Sequence, residues 1–234
     1  MWFVNSEKVE EVWPLKPRDS VDLGWLKLCD GKRVLWEIAD PKRPDSIFHN
    51  VLKEQNAYTV ILPEWVRDPD AMARIPPRLK RIFGVTSTST IDNNVYLLTL
   101  TLLSRLQNQR LTIATSQSFL QAIAFVTPEL VRLLESKDPR AVFIIGWWFK
   151  MMADGDLWWV VPRAKIEGRT IRIWLEKEDG VFGLAQVLDD LVPERSMPQE
   201  QPGISRIDCY RLHRIHRWEA IAHGRHGVLF QNCT

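Results

Sequence analysis

Cysteine is scarce in this sequence: Cys29, Cys209 and Cys233 are the only three. They lie far apart, are odd in number and show no paired spacing, which argues against a disulfide framework and for free thiols in a reducing compartment. Long apolar runs are missing too. Met1–Trp13 carries Glu7, Lys8, Glu10 and Glu11 and has no apolar stretch of the signal-peptide kind, so no leader is expected there. Without secretion, the sequon Asn232-Cys233-Thr234 carries no meaning. No segment approaches the about 20 apolar residues that cross a bilayer. Charge of one sign is not in excess either: 31 basic against 29 acidic residues leave a net charge of +2. Chains that grip nucleic acid unaided are usually more basic or cluster their basic residues, so direct nucleic-acid binding is not expected. There is no G-x-S-x-G elbow, phosphate loop or dinucleotide fingerprint. Accordingly no catalytic residue is assigned and no cofactor is implied, although an enzyme that holds an apolar substrate by shape would leave none of these marks.

What is present is a chain of 234 residues, 45% of them hydrophobic, enough for a sizeable core in one domain or two tightly joined ones. Its organising stretch is Asp138–Trp159, DPRAVFIIGWWFKMMADGDLWW. Asp138 is a good N-cap, and Pro139 suits the first helical turn, where its missing N–H needs no partner. From Ala141 to Phe149 the run is apolar on every side, so a helix here is buried or membrane-spanning. It is too short to span, which predicts a central core helix over about 139–153. Ala153–Gly155, with Asp154 and Asp156, turns the chain back, and Trp158-Trp159 closes the far end.

Around this helix the pattern predicts an all-α fold, an irregular helical bundle. Residues 1–19 read as an extended lead-in, 20–178 as the helical core, 179–203 as a Pro/Gly/acidic linker or insert, and 204–234 as an amphipathic helix and tail. Within the core, Ser20 caps a helix over about 21–39 and a short helix is expected within 47–61. Residues 67–77 read as loop, followed by a short basic helix over 78–83 and a Ser/Thr loop over 86–90. A helix over 91–108 presents Val95, Leu98, Leu102 and Leu106 as its apolar stripe. Helices over 116–125 and 128–136 follow, the latter capped by Thr127 and turning Leu130, Leu133 and Leu134 inward. Pro162 opens another over 162–177. Thr170–Leu175 is the one place where a strand is conceivable.

Several constellations invite a chemical reading. On the last helix Cys209, His213 and His216 fall at i, i+4 and i+7, a spacing zinc can use. They also form that helix's polar face, and Arg206, Arg211, Arg214 and Arg217 would repel a metal, so no metal site is assigned. Asp189-Asp190 and Glu194 look like a magnesium cluster, but Pro193 interrupts any shared helical face, and a solvated loop is the better reading. Arg74, Arg78, Lys80 and Arg81 form a basic group best read as a solvated face. Of the eleven tryptophans, four gather around the central helix: Trp147, Trp148, Trp158 and Trp159. Core packing explains them; so would an apolar pocket between helices. The candidate pocket residues are Phe149, Met151, Met152, Trp158 and Trp159, the methionines because they adapt to a ligand's outline.

The acidic cap with proline, the apolar helix, the short acidic turn and the Trp-Trp pair together resemble the C-terminal regulatory region of fungal binuclear zinc-cluster transcription factors of the sterol-uptake-regulator type. Phe125–Glu135, FVTPELVRLLE, and Leu23–Leu35, LGWLKLCDGKRVL, stand in the same order as similar segments of that group, over roughly Asp22 to Glu176. Val161-Pro162 departs from the Gly-Trp common there. The group's DNA-reading module needs a close run of cysteines that this chain does not have. The resemblance implies a regulatory domain without that module, sensing a lipid in an all-helical pocket or holding a protein partner, a second copy of the chain in a homodimer included, in the nucleus (otherwise the cytoplasm). The alternative is an enzyme or accessory protein of fungal secondary metabolism that acts on an apolar substrate in the same pocket.

Overall fold

A computed structural model describes residues 8–17, 19, 22–26, 38–41, 43–47, 49–50, 66, 69–178 and 182–192. The chain divides into units Met1–Glu194 and Arg195–Thr234, and every described residue belongs to the first. The fold is all-α; among the described residues there is no strand. Among the described residues a 3-10 turn, Val9–Glu11, precedes the α-helices α1 (Pro69–Ala73), α2 (Pro77–Ile82), α3 (Leu97–Leu106), α4 (Ser116–Ala124), α5 (Pro128–Glu135), α6 (Pro139–Ala153), α7 (Val161–Glu178) and α8 (Leu184–Leu191).

Helix α6 is the centre, and local chemistry starts it. Asp138 Oδ1 accepts from the backbone N–H of Arg140 at 3.1 Å and of Ala141 at 3.0 Å, satisfying donors that have no partner within the helix. The same oxygen accepts from the Tyr96 hydroxyl at 3.0 Å. Burial and the neighbouring Asp138 carboxylate push that phenol up to about 12. Every residue from Ala141 to Phe149 is buried, together with Met151 and Met152. Thr127 Oγ1 caps α5 by accepting from Leu130 N at 3.3 Å, and Leu130 and Leu134 are fully buried while Leu133 is half-buried. Between α5 and α6 the chain turns through Lys137 at a left-handed φ of 56°. Its ammonium donates to Pro14 O at 2.6 Å and Lys16 O at 3.0 Å, holding the N-terminal segment. That segment is more than a lead-in, since Val12 and Trp13 are buried.

The most extensive packing is between α6 and α7, with α8 laid against both; α3 packs on α4 and α6, and α5 on α6. Gly146 makes the closest approach possible. A Cβ there would stand 2.6 Å from Ile171 Cγ2 and 3.5 Å from Leu188 Cδ2, and a β-branched side chain inside a helix cannot swing aside. Gly146→Ala is therefore expected to destabilise by about 1–3 kcal/mol through overpacking, even though alanine is the better helix former by about 1 kcal/mol. A urea midpoint equal to or above wild type would show that the α6–α7 interface has slack.

Several expectations are corrected. Residues 67–77, read as loop, contain α1, with Ala71 and Ile75 buried; a proline at the first position starts a helix as readily as it ends one. Thr170–Leu175 is helix, because Arg163, Ala164, Glu167, Thr170, Ile171, Trp174 and Leu175 are buried at spacings of a helix, not alternately. Helix α3 is buried nearly all round, so the narrow stripe understated it. The stretch read as linker contains α8, whose Leu184, Val187 and Leu188 enter the core at i, i+3 and i+4. Gly183 opens it at a φ of 60°, and Asp189 ties it to Lys150 at 2.6 Å and Arg172 at 2.8 Å. The helices expected over 21–39 and 47–61 lie mostly outside the described residues, where 24–26, 38–39 and 49–50 are helical. The helix expected within 204–234, with Cys209, His213 and His216, lies wholly outside them.

Candidate functional site

Three aromatic rings meet where the N-terminal segment crosses α6. Trp25 stacks on Trp148 with centroids 5.6 Å apart and planes 8° from parallel. Phe149 completes the cluster, 4.9 Å from Trp148 and 5.9 Å from Trp25. Trp148 is fully buried, and its indole Nε1 donates to Phe119 O on α4 at 2.8 Å, which locks the ring plane. Stacked and tilted ring pairs of this kind add to the burial of their area.

One edge of this apolar body is charged. The Arg163 guanidinium of α7 lies over the Trp25 ring at 5.1 Å, a cation–π arrangement. It also donates to Glu167 Oε1 from Nη2 at 3.2 Å and from Nε at 3.3 Å. Both side chains are only 10% exposed. Burial pushes the Glu167 carboxyl above the usual carboxylate range, against the opposing pull of Arg163 and, more weakly, Lys16. Lys16 pairs with Asp22 at 2.7 Å and with Asp19 at 3.8 Å, and the Asp22 hydrogen bond raises its pKa despite partial burial. The result is an aromatic face bordered by a buried ion pair, with a second pair from the N-terminal segment beside it. The rings pack on one another with Trp148 and Phe149 fully buried, so the arrangement is a closed apolar cluster with a charged edge.

Of the candidate pocket residues, the structure brings Phe149 into this cluster. Met151 and Met152 are buried in the core on the same helix. Trp159 is half-buried, packed against the core, and Trp158 is 68% exposed and stands on the surface. Neighbouring residues of one helical turn point about 100° apart, and Leu157 and Val160 already take the inward positions. Asp154 ends α6 and Asp156 ties the following turn to Arg110 at 2.6 Å and, through its N–H, to Leu111 O at 2.9 Å. Arg78 of the basic group pairs with Asp190 of α8 at 2.8 Å.

Sequence reasoning missed Trp25 as a ring partner, and missed Arg163 and Glu167 altogether. The available signal was an i, i+4 pair of opposite charges on the face of α7 that also carries Ala164 and Ile171. Among the described residues no group of His, Cys, Asp and Glu is placed to hold a metal ion, and no helix is long and apolar enough to cross a membrane. No family model, curated protein or solved structure matches this chain.

Proposed function

We propose that this chain is a non-catalytic regulatory domain of the fungal zinc-cluster transcription-factor type, which binds a hydrophobic, sterol-like molecule and modulates transcription in the nucleus. The observation that carries the reading is the Trp25–Trp148–Phe149 cluster with Arg163 and Glu167 along its edge. An apolar body with one hydroxyl matches that division: rings for the body, a carboxylate or guanidinium for the hydroxyl. Trp25 belongs to the N-terminal segment, so a ligand that competes for its place on Trp148 shifts the balance between docked and released forms of that segment. A ligand acts only through such a difference in affinity between two states.

The alternative, an enzyme or accessory protein acting on an apolar substrate, is favoured by one feature. Glu167 is a buried carboxyl held above its ordinary pKa, the condition of a general acid.

Native purification followed by organic extraction and mass spectrometry tests both. The expected result is a stoichiometric apolar molecule, and quenching of the intrinsic tryptophan fluorescence when the stripped protein is titrated with it or with sterols. Chemical conversion of the bound molecule, abolished by Glu167→Gln, would move the enzyme reading ahead. An empty protein indifferent to sterols would end the sensor reading and leave the aromatic cluster as core.

A further inference from the structure

The outer face of α7 carries a stripe that the packing among the described residues does not use. Val161 N donates to Leu157 O at 3.0 Å and Ala164 N to Val160 O at 3.0 Å, so helical turns already begin at Leu157. Trp158, Pro162, Lys165 and Arg169 then stand at i, i+4, i+7 and i+11 on one face, and all four are exposed. The opposite face holds the buried residues, from Arg163 and Ala164 to Trp174. At 1.5 Å per residue the stripe is about 16 Å long, some three helical turns.

Its two halves differ in chemistry. At its head is a tryptophan 68% exposed, the residue type most enriched in the energetic centres of protein interfaces. Behind it stand two cations one turn apart. The side chains of Lys165 and Arg169 have no ion pair or hydrogen bond among the described residues, whereas Arg163 and Arg172 on the same helix are each matched by a carboxylate. Like charges at i, i+4 oppose helix stability, so the folded domain gains nothing from holding this pair unmatched. Opposite charge brought by a partner would relieve it.

We infer that Trp158, Pro162, Lys165 and Arg169 form a docking surface for an acidic amphipathic helix of a protein partner. A large apolar side chain of that helix packs on Trp158 and Pro162, and its carboxylates face Lys165 and Arg169. Two free cations are too few to follow a phosphate backbone, where affinity grows with each phosphate neutralised. A second copy of the same stripe would bring cations of its own toward these two. The surface operates whether or not the aromatic cluster holds a small molecule.

The test is fluorescence anisotropy on the full chain with a labelled helical peptide of about four turns, Glu along one side and Leu and Phe along the other. Binding is expected to weaken about tenfold or more in Lys165→Glu/Arg169→Glu and in Trp158→Ser, and to fall steeply with added salt. The same peptide with Lys in place of Glu should bind the Lys165→Glu/Arg169→Glu variant better than wild type. Circular dichroism melts of the variants should match wild type, since the substituted side chains are exposed. The inference is overturned by equal binding to the charge-reversed variant, or by no binding at about 1 mM peptide, the weak limit of specific recognition. It is overturned equally if the stripe instead captures single-stranded RNA or phosphatidylserine vesicles, or if Trp158→Ser abolishes a concentration-dependent dimer of the chain itself.

Discussion

Replacing Trp148 by alanine is expected to lower the free energy of unfolding by about 3–5 kcal/mol, a large part of the about 5–15 kcal/mol that a domain possesses. The indole is completely buried at the centre of α6. It stacks on Trp25, touches Phe149, and donates to Phe119 O at 2.8 Å, so one side chain joins the N-terminal segment, α4 and α6. Alanine opens a cavity that three separate elements would have to close. The hydrogen bond can be separated from the volume by comparing phenylalanine at two adjacent positions. Trp147 is equally buried, but its Nε1 has no hydrogen-bond partner among the described residues. Trp148→Phe removes the indole's bond to the Phe119 carbonyl, which lies inside α4, and is expected to cost about 0.5–1.5 kcal/mol more than Trp147→Phe, the net worth of one hydrogen bond. Urea denaturation followed by far-ultraviolet circular dichroism measures both. If the two phenylalanine variants unfold together, the Trp148 hydrogen bond contributes nothing and only volume matters.

Breaking the buried pair on α7 is the second large effect. Arg163→Met removes the cation from a carboxylate buried with it and is expected to cost about 3–5 kcal/mol at neutral pH. Replacing both partners, as Arg163→Met/Glu167→Leu, should be far milder than the single change and close to neutral, because the desolvation cost disappears along with the attraction. A double variant less stable than Arg163→Met would mean that the pair does more for the fold than neutralise itself. The pH dependence gives an independent sign. Glu167 is shifted upward from its ordinary 4.5, chiefly by burial, so between 4.5 and its folded pKa the native state binds the proton more tightly than the unfolded chain. Its contribution is therefore fully present below pH 4.5 and declines as pH rises through the folded pKa. Glu167→Gln should remove that decline. Asp189 has the opposite sense. Burial would raise it, but hydrogen bonds from Lys150 and Arg172 hold it below its ordinary 3.8, so its contribution is present above 3.8 and is lost as pH falls through the folded value. Denaturation midpoints between pH 3 and 7 for wild type and Glu167→Gln separate the two. Parallel curves above pH 4.5 would show that Glu167 does not titrate with unfolding.

The sequence alone determined the central helix and its neighbours. Asp138 with Pro139, Thr127 with Pro128, and the unbroken apolar run to Phe149 each act within a few residues, through caps and burial that no distant partner can reverse. It was enough to establish an all-α fold built around a buried α6. Tertiary structure alone decided which side of each remaining element faces inward. Trp158 and Trp159 are chemically the same pair, yet Leu157 and Val160 take the buried positions and Trp158 is left in water. Arg163 and Glu167 are an ordinary i, i+4 pair in the sequence, and only the folded chain buries them beside Trp25. The stretch after Asp179 became a helix of the core because Leu184, Val187 and Leu188 find α6 and α7 to pack on, with Asp189 and Asp190 held at its edge by Lys150, Arg172 and Arg78. Periodicity and caps are properties of neighbours along the chain. The site depends on contacts between residues more than a hundred positions apart, and no local pattern encodes those.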